Sequence, residues 1–261
     1  MNKRKICLAL GGGSARGFAH IGVLKVLEEA KIPIDLIVGT SMGSVIGAFY
    51  ASGMSLGFME KLARRMQRNT WIDFSLPPRM GLISGEKLEQ FIYVLTKRAK
   101  FSDLKISLAV VATDLVKEER VVITEGIVAK AVHASLAIPG VFCPVNIEGR
   151  LLADGGILEK VPAKTAKELG ANIIIAVNVG VYENKGKNKI NHLLDVITQS
   201  LDIMSKEIVR SHLELADIVI TPQVEDIASS QFERAEEAIK KGEQETYKSL
   251  PSIKEIVERS E

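Results

Sequence analysis

Short, unbroken apolar runs recur along this chain, separated by stretches in which apolar residues fall three and four positions apart. The runs Ile6–Leu10, Ile34–Val38, Ser107–Ala112, Val121–Thr124, Asn172–Val179 and Asp217–Thr221 have the length and continuity of buried strands. Between them the spacing predicts helices over Phe18–Ala30, Ser44–Ala51, Lys87–Thr96, Ile127–Ala134, Ala163–Leu169 and Ile190–Leu215. Strands alternating with helices predict an α/β fold, a mostly parallel central sheet covered on both faces. No internal repeat or low-complexity tract interrupts the pattern.

Two segments differ from the rest. In Met54–Arg79, Leu56, Met59, Leu62 and Met66 fall at helical spacing while Lys61, Arg64, Arg65 and Arg68 lie on other faces, and Trp71, Phe74 and Pro77-Pro78 follow. Such a basic amphipathic helix could rest on an anionic lipid surface or cover an active site, so residues 54–105 are expected to form a lid or a membrane-facing segment. A helix packed on the sheet with a solvated basic face is the alternative. From Glu225 to the end the chain carries ten acidic and six basic residues, and residues 225–261 read as a charged, solvated packing helix.

With 261 residues, 46% hydrophobic and 25% charged, the chain suits one globular domain spanning 1–261. A net charge of +2 gives no electrostatic reason to expect nucleic acid as a partner. Cys7 and Cys143 form no Cys-x-x-Cys pair and read as two thiols in a reducing compartment. Ile6–Leu10 is too short for the apolar core of a signal peptide, and no stretch approaches the roughly 18 apolar residues of a membrane span. The expected location is therefore cytoplasmic. The sequence carries no signal of oligomeric state.

The candidate chemistry begins where the second run enters Gly39-Thr40-Ser41-Met42-Gly43. Strand, Gly-x-Ser-x-Gly and helix in that order are the context of a nucleophile elbow, in which Gly39 and Gly43 relieve the crowding of a sharp turn around Ser41. A serine hydroxyl needs a base to take its proton and donors to hold the oxyanion it creates. Ile6–Leu10 runs into Gly11-Gly12-Gly13-Ser14-Ala15-Arg16-Gly17 ahead of a helix, which would aim several backbone N–H groups into one space. The same loop could cradle a dinucleotide. However, Gly11, Gly13 and Gly17 are spaced one residue too long, and no acidic residue ends the second strand.

The base is less obvious. His192 and His212 lie inside a long helical pattern, His20 and His133 in shorter ones, and each reads as a packing or surface histidine. Asp154, in Leu151-Leu152-Ala153-Asp154-Gly155-Gly156, is the stronger candidate. Its alternative is a plain Asp-Gly turn.

Gly11-Gly12-Gly13 with Arg16-Gly17, then Gly39-Thr40-Ser41-Met42-Gly43, then Asp154-Gly155-Gly156 together resemble the patatin-like phospholipase family, above all its bacterial members and the catalytic domain of neuropathy target esterase. The likeness spans roughly residues 5–180. It takes in Ala112-Thr113-Asp114, Ala134-Ser135, Ile138-Pro139-Gly140-Val141-Phe142 and Val161-Pro162. It implies a three-layer α/β/α fold and a Ser–Asp dyad in place of a triad. Ser41 would be the nucleophile, Asp154 its base, the N–H groups of Gly11, Gly12 and Gly13 the oxyanion hole, and Arg16 the basic residue of that loop. The implied substrate is a lipid ester, with neither metal nor organic cofactor; peripheral membrane association is an expectation from the basic amphipathic segment. Two positions depart from many relatives: Lys160 stands where Asn precedes Val-Pro, and His133 where an arginine precedes Ala-Ser. A lipid-binding module with low turnover is the other class of function the same motifs allow.

Overall fold

The computed structural model of the protein describes residues 4–65, 80–180, 190 and 192–259. Met66, Arg68, Trp71, Phe74, Pro77, Pro78 and Arg79 of the basic segment lie outside them. Five strands form the parallel part of the sheet: β1 (Ile6–Leu10), β2 (Leu36–Thr40), β4 (Ser107–Asp114), β9 (Ile173–Val177) and β10 (Ile218–Ile220), in the order β10-β9-β1-β2-β4. Every residue of β1, β2 and β9 is buried, which explains why each reads as a continuous apolar run with no polar alternation.

Beyond β4 the sheet turns antiparallel. β4 is long enough to pair with β2 through Ser107–Val111 and, further along, with β5 (Glu119–Ile123) and β8 (Arg150–Asp154), while β7 (Val145–Ile147) pairs with β8. The run at Val121–Thr124 is thus an antiparallel neighbour of β4. The β7–β8 hairpin, closed by Glu148 and Gly149 at positive φ, has no counterpart in the apolar pattern because its strands are short and mix in Asn146 and Arg150. Apart from this sheet, β3 (Gly81–Ile83) and β6 (Gly140–Phe142) make a small parallel ribbon.

Alternation along the strands sorts the helices into two layers. Ile6, Leu8 and Leu10 of β1 point to one face, where they join Val23 and Leu24 of α1 (Ala19–Glu29), Val45 and Phe49 of α2 (Met42–Ala51) and Val132 of α5 (Val128–Leu136). Cys7 and Ala9 point the other way. There they meet Ala163 and Ala166 of α6 (Ala163–Glu168) and Val209 of α7 (Leu193–Leu213). Small residues on that second face let α6 and α7 lie close to the sheet. Of the remaining helices, α3 (Leu56–Arg65) buries Leu56, Met59 and Ala63 against the body, and its Arg64 pairs with Glu60 and Glu236. α4 (Glu86–Leu95) buries Leu88 and Ile92.

α8 (Ala235–Glu258) crosses α1 backbone to backbone. A Cβ on Gly242 would stand 2.1 Å from the Ala19 carbonyl oxygen, and one on Gly22 would stand 2.0 Å from that of Ile239. Only glycine permits this approach. Among the described residues, no helix is long and apolar enough to cross a membrane.

Gly242→Ala is expected to lower the unfolding free energy by about 2–3 kcal/mol through overpacking at this crossing. The same change at Gly57, which faces open space on α3, should instead stabilise by about 0.5–1 kcal/mol through helix propensity. Urea unfolding of the two variants checks the opposite signs.

Candidate active site

Sheet register brings the two sequence-predicted side chains together. Thr40 at the end of β2 lies level with Val111 of β4, and the next β4 residue, Ala112, lies level with Asp154 at the end of β8. The residue after Thr40 is therefore delivered beside Asp154. Ser41 Oγ donates a 2.7 Å hydrogen bond to Asp154 Oδ2, and both residues are buried.

Ser41 sits on a sharp turn with φ 52° and ψ −124°, a conformation that costs a non-glycine residue about 1–3 kcal/mol. Its surroundings hold it there. The Ser41 N–H donates to Ser135 Oγ at 2.8 Å, and that hydroxyl donates onward to the Val111 carbonyl at 2.6 Å. Ser44 Oγ donates to the Ser41 carbonyl at 2.6 Å, and Thr40 Oγ1 to that of Glu159 at 2.9 Å. Gly43 leaves room for the loop beneath, since a Cβ there would meet the Leu10 carbonyl oxygen at 2.1 Å; one on Gly39 would meet Ser44 Cα at 2.5 Å. Although Ser41 occupies the N-cap of α2, its side chain makes no cap hydrogen bond, so the hydroxyl is left for Asp154.

Asp154 is held from several directions. The Asp154 N–H donates to the Ala137 carbonyl, and Thr113 Oγ1 donates to the Asp154 main-chain carbonyl. Oδ1 accepts the Gly156 N–H at 2.7 Å while Oδ2 takes the serine proton. Gly155 and Gly156 form the tight 3₁₀ turn that makes this possible. Burial pushes the Asp154 carboxyl above its ordinary value of 3.8; the hydrogen bonds from Ser41 and Gly156 and the charge of Lys160 pull the other way without cancelling it.

The glycine loop follows β1 and faces Ser41, but its three amides are not equivalent. Gly11 N–H donates to the Val177 carbonyl at 3.1 Å and Gly12 N–H to that of Lys160 at 2.9 Å. Of the three, only the Gly13 N–H meets no acceptor among the described residues. Two of the three amides expected to form an oxyanion hole thus close the loop onto β9 and the strand-end segment at Lys160. His20 completes this frame. Fully buried, it bonds the Gly11 carbonyl through Nε2 at 2.8 Å, so Nε2 carries the proton, and burial lowers its pKa to about 4.

Arg16 serves as a clasp. Its guanidinium donates to the Gly13 and Gly180 carbonyls, to Ser229 Oγ at 3.3 Å and to Asp202 Oδ2 of α7 at 2.8 Å. Lys160 pairs with the other oxygen of Asp202. The two cations hold the Asp202 carboxyl below its usual range against the cost of its burial.

Two cavities meet at Ser41. The more polar of the two is bordered by Gly12, Gly13, Arg16, Asp154 and Lys160, with Ile138 and Leu201 adding apolar surface. An apolar one runs between α2 and α4, lined by Met42, Val45, Phe49, Leu88, Phe91 and Phe142. No histidine lines either. His133 bonds Glu89 of α4, and His212 is half-buried on α7. The positions that sequence reading passed over are Ser135, His20 and Asp202. Ser135 stood within a quoted motif but carried no assigned role. The one available signal for Asp202 was a carboxylate within the apolar pattern of a helix.

A family model described as patatin-like phospholipase matches residues 8–167. The chain is 34% identical over 193 residues to lysophospholipase NTE1 of Pyricularia oryzae, a match covering 69% of this chain and 13% of that protein. It is 37% identical over 181 residues to an uncharacterized NTE family protein of Mycobacterium tuberculosis, covering 69% and 50%. It is 36% identical over 183 residues to patatin-like phospholipase domain-containing protein 6 of Mus musculus, covering 67% and 13%. The chain thus spans half or less of the length of these relatives. Among solved structures, VipD from Legionella pneumophila superposes with a TM-score of 0.60 at 15% identity over 96% of this chain and 67% of that one. The type III effector protein ExoU superposes with a TM-score of 0.53 at 14% identity over 96% and 53%. At such identities the likeness is one of fold, a central sheet flanked by helices.

Ser135→Ala strands both the Ser41 N–H and the Val111 carbonyl in a buried setting. A loss of about 2–3 kcal/mol in urea-unfolding stability is expected from the two unmet groups.

Proposed function

The chain belongs to the patatin-like phospholipase family, and from that premise we propose that it hydrolyses lipid acyl esters, phospholipids or lysophospholipids among them, through an acyl-enzyme on Ser41. The observation that carries this reading is the 2.7 Å hydrogen bond from Ser41 Oγ to Asp154 Oδ2 at the junction of an apolar and a more polar cavity. An acyl chain fits the first and the alcohol portion the second.

In the first half-reaction Asp154 accepts the Ser41 proton as Oγ bonds to the ester carbonyl carbon. The carbonyl oxygen becomes an oxyanion within reach of the Gly13 N–H, and α2 adds the positive end of its dipole. The leaving alkoxide departs with the proton held by Asp154. Water then repeats the sequence on the acyl-enzyme, giving up its proton to Asp154 and freeing the fatty acid and Ser41. An aspartate at its ordinary pKa of roughly 3.9 is a weak base toward a hydroxyl, and burial of Asp154 eases this by raising its proton affinity. Arg16, Lys160 and Asp202 act by holding the glycine loop and α7 in position. We take the whole chain as one acyl hydrolase domain, in which residues 54–105 border the apolar cavity through α4. The free thiols Cys7 and Cys143 suit a reducing compartment such as the cytoplasm.

A second reading, a lipid-binding module with little turnover, is favoured by the engagement of the Gly11 and Gly12 amides with backbone carbonyls, which leaves Gly13 alone of the three expected glycine donors. Labelling with a fluorophosphonate separates the two. The hydrolase reading expects a covalent adduct on Ser41 of the wild type and none on Ser41→Ala, with nitrophenyl butyrate hydrolysis abolished in that variant. Asp154→Asn should lower kcat by about 10²–10⁴-fold, the usual worth of a general base. An unlabelled wild-type protein would favour the binding module.

The pH dependence follows from the raised carboxyl of Asp154. Hydrolysis should fall as pH drops through that raised value, so the acid limb of kcat/KM lies above the ordinary carboxylate range. For stability the sign is opposite. The folded state holds this proton more tightly than the unfolded chain, so the contribution of Asp154 is fully present below pH 3.8 and is lost as pH rises through the folded value. Asp154→Asn should therefore melt at a higher temperature than wild type at pH 8, a comparison that calorimetry makes directly.

A further inference from the structure

Helix α7 carries apolar side chains on two sides: Ile197, Leu201, Val209 and Leu213 pack on the body, and a second set faces outward. Asp195, Asp202, Ser205 and Val209 face the body of the protein and are buried. Leu193, Val196, Ile203 and Met204 share the opposite face and are exposed, Met204 to 76%. A surface helix ordinarily turns its apolar stripe to the core. Here the inner face adds polar anchors to its apolar contacts, and a second apolar set is left outside: Asp202 is gripped by Arg16 and Lys160, and Asp195 accepts the Ser230 N–H at 3.2 Å. Further along, Glu207 and Ser211 make the outward face more polar, with Ile208 exposed between them.

The first turns of α7 border the site. Leu201 lines the more polar cavity beside Ser41, and Ile197 packs against Gly140 of the β3–β6 ribbon, next to which Met80 and Leu82 are also exposed. We propose that this outward apolar face of α7, with Met80 and Leu82, docks on a phospholipid bilayer and sets the cavity of Ser41 against the lipid. The choice of occupant rests on the reading of Ser41 as a lipid acyl hydrolase. A bilayer delivers substrate to the cavity, whereas a second copy of the chain on the same rim would seal it. Size points the same way. A few large apolar side chains suffice for interfacial insertion, while a stable protein interface buries about 800 Å² on each partner. Arg210 and Glu207, both exposed on α7, offset each other in charge, so the docking is apolar and survives high salt.

The test uses Ser41→Ala protein, which leaves vesicles intact, floated with phosphatidylcholine vesicles at low and high salt. Leu193→Ser, Val196→Ser and Met204→Ser are combined in that background; all three side chains are exposed. The parent should co-float at both salt concentrations, and the triple variant should partition at least about tenfold more weakly. A control carrying Val219→Ser and Tyr247→Ser, two exposed positions elsewhere, should bind like the parent. The proposal is overturned if the parent does not co-float, if the triple variant floats as well as the parent, if the control loses as much, or if sedimentation finds a dimer that the triple variant dissociates. Fluorophosphonate labelling of the wild type reports on Ser41 separately. Labelling without flotation removes the docking face alone, and flotation without labelling removes the hydrolase reading alone.

Discussion

Strand β4 lies between the strand that carries Ser41 and the strand that carries Asp154. Thr40 is level with Val111, and Asp154 with Ala112, so one residue step along β4 sets the distance between the two side chains. That register is maintained by residues with no reactive role. Val111 contributes its carbonyl to Ser135, and Ser135 in turn accepts the Ser41 N–H. A one-residue slip in either pairing would turn every side chain of the slipped strand to the other face and separate hydroxyl from carboxylate. The strained turn at Ser41 survives because its N–H and its carbonyl are both engaged with side chains behind it.

The parallel half of the fold could be read from the sequence because β1, β2 and β9 are buried on both faces, which forces uninterrupted apolar runs. The antiparallel end was less legible. β7 and β8 owe their pairing to a positive-φ turn at Glu148-Gly149 more than to any hydrophobic period. The motifs around Ser41 and Asp154 were visible as local strings, and the structure joins them through contacts more than a hundred residues apart. The state of the glycine amides could not be read locally. Whether Gly11 and Gly12 are free depends on the carbonyls of Val177 and Lys160, which come from the other end of the fold. His20 has the same character: helical spacing marks it as a packing residue, but only the folded chain reveals the Gly11 carbonyl it grips.

Charge at the site is arranged in two groups. Asp154 is ionisable, buried and bonded to neutral donors, with the charge of Lys160 acting on it. Asp202 is buried between Arg16 and Lys160, a compact cluster with one more positive than negative charge. Buried clusters of this kind gain little net stability, because desolvation offsets most of the attraction, but losing one member leaves an uncompensated charge. Their contribution here is geometric. One carboxylate ties the glycine loop, the segment after Asp154 and α7 to a single point. At Lys160 the ammonium gives α7 a charged anchor through Asp202.

The contact between α1 and α8 has a bearing on how the protein is made. The glycine loop takes part of its frame from Ser229, whose carbonyl accepts Ser14 Oγ at 2.7 Å and whose hydroxyl accepts from Arg16, and Phe18 rests edge-on against Phe232. During synthesis the loop and Ser41 leave the ribosome nearly two hundred residues before these supports. A nascent chain therefore holds Ser41 without the surrounding frame, and the site is assembled only when α8 settles across α1.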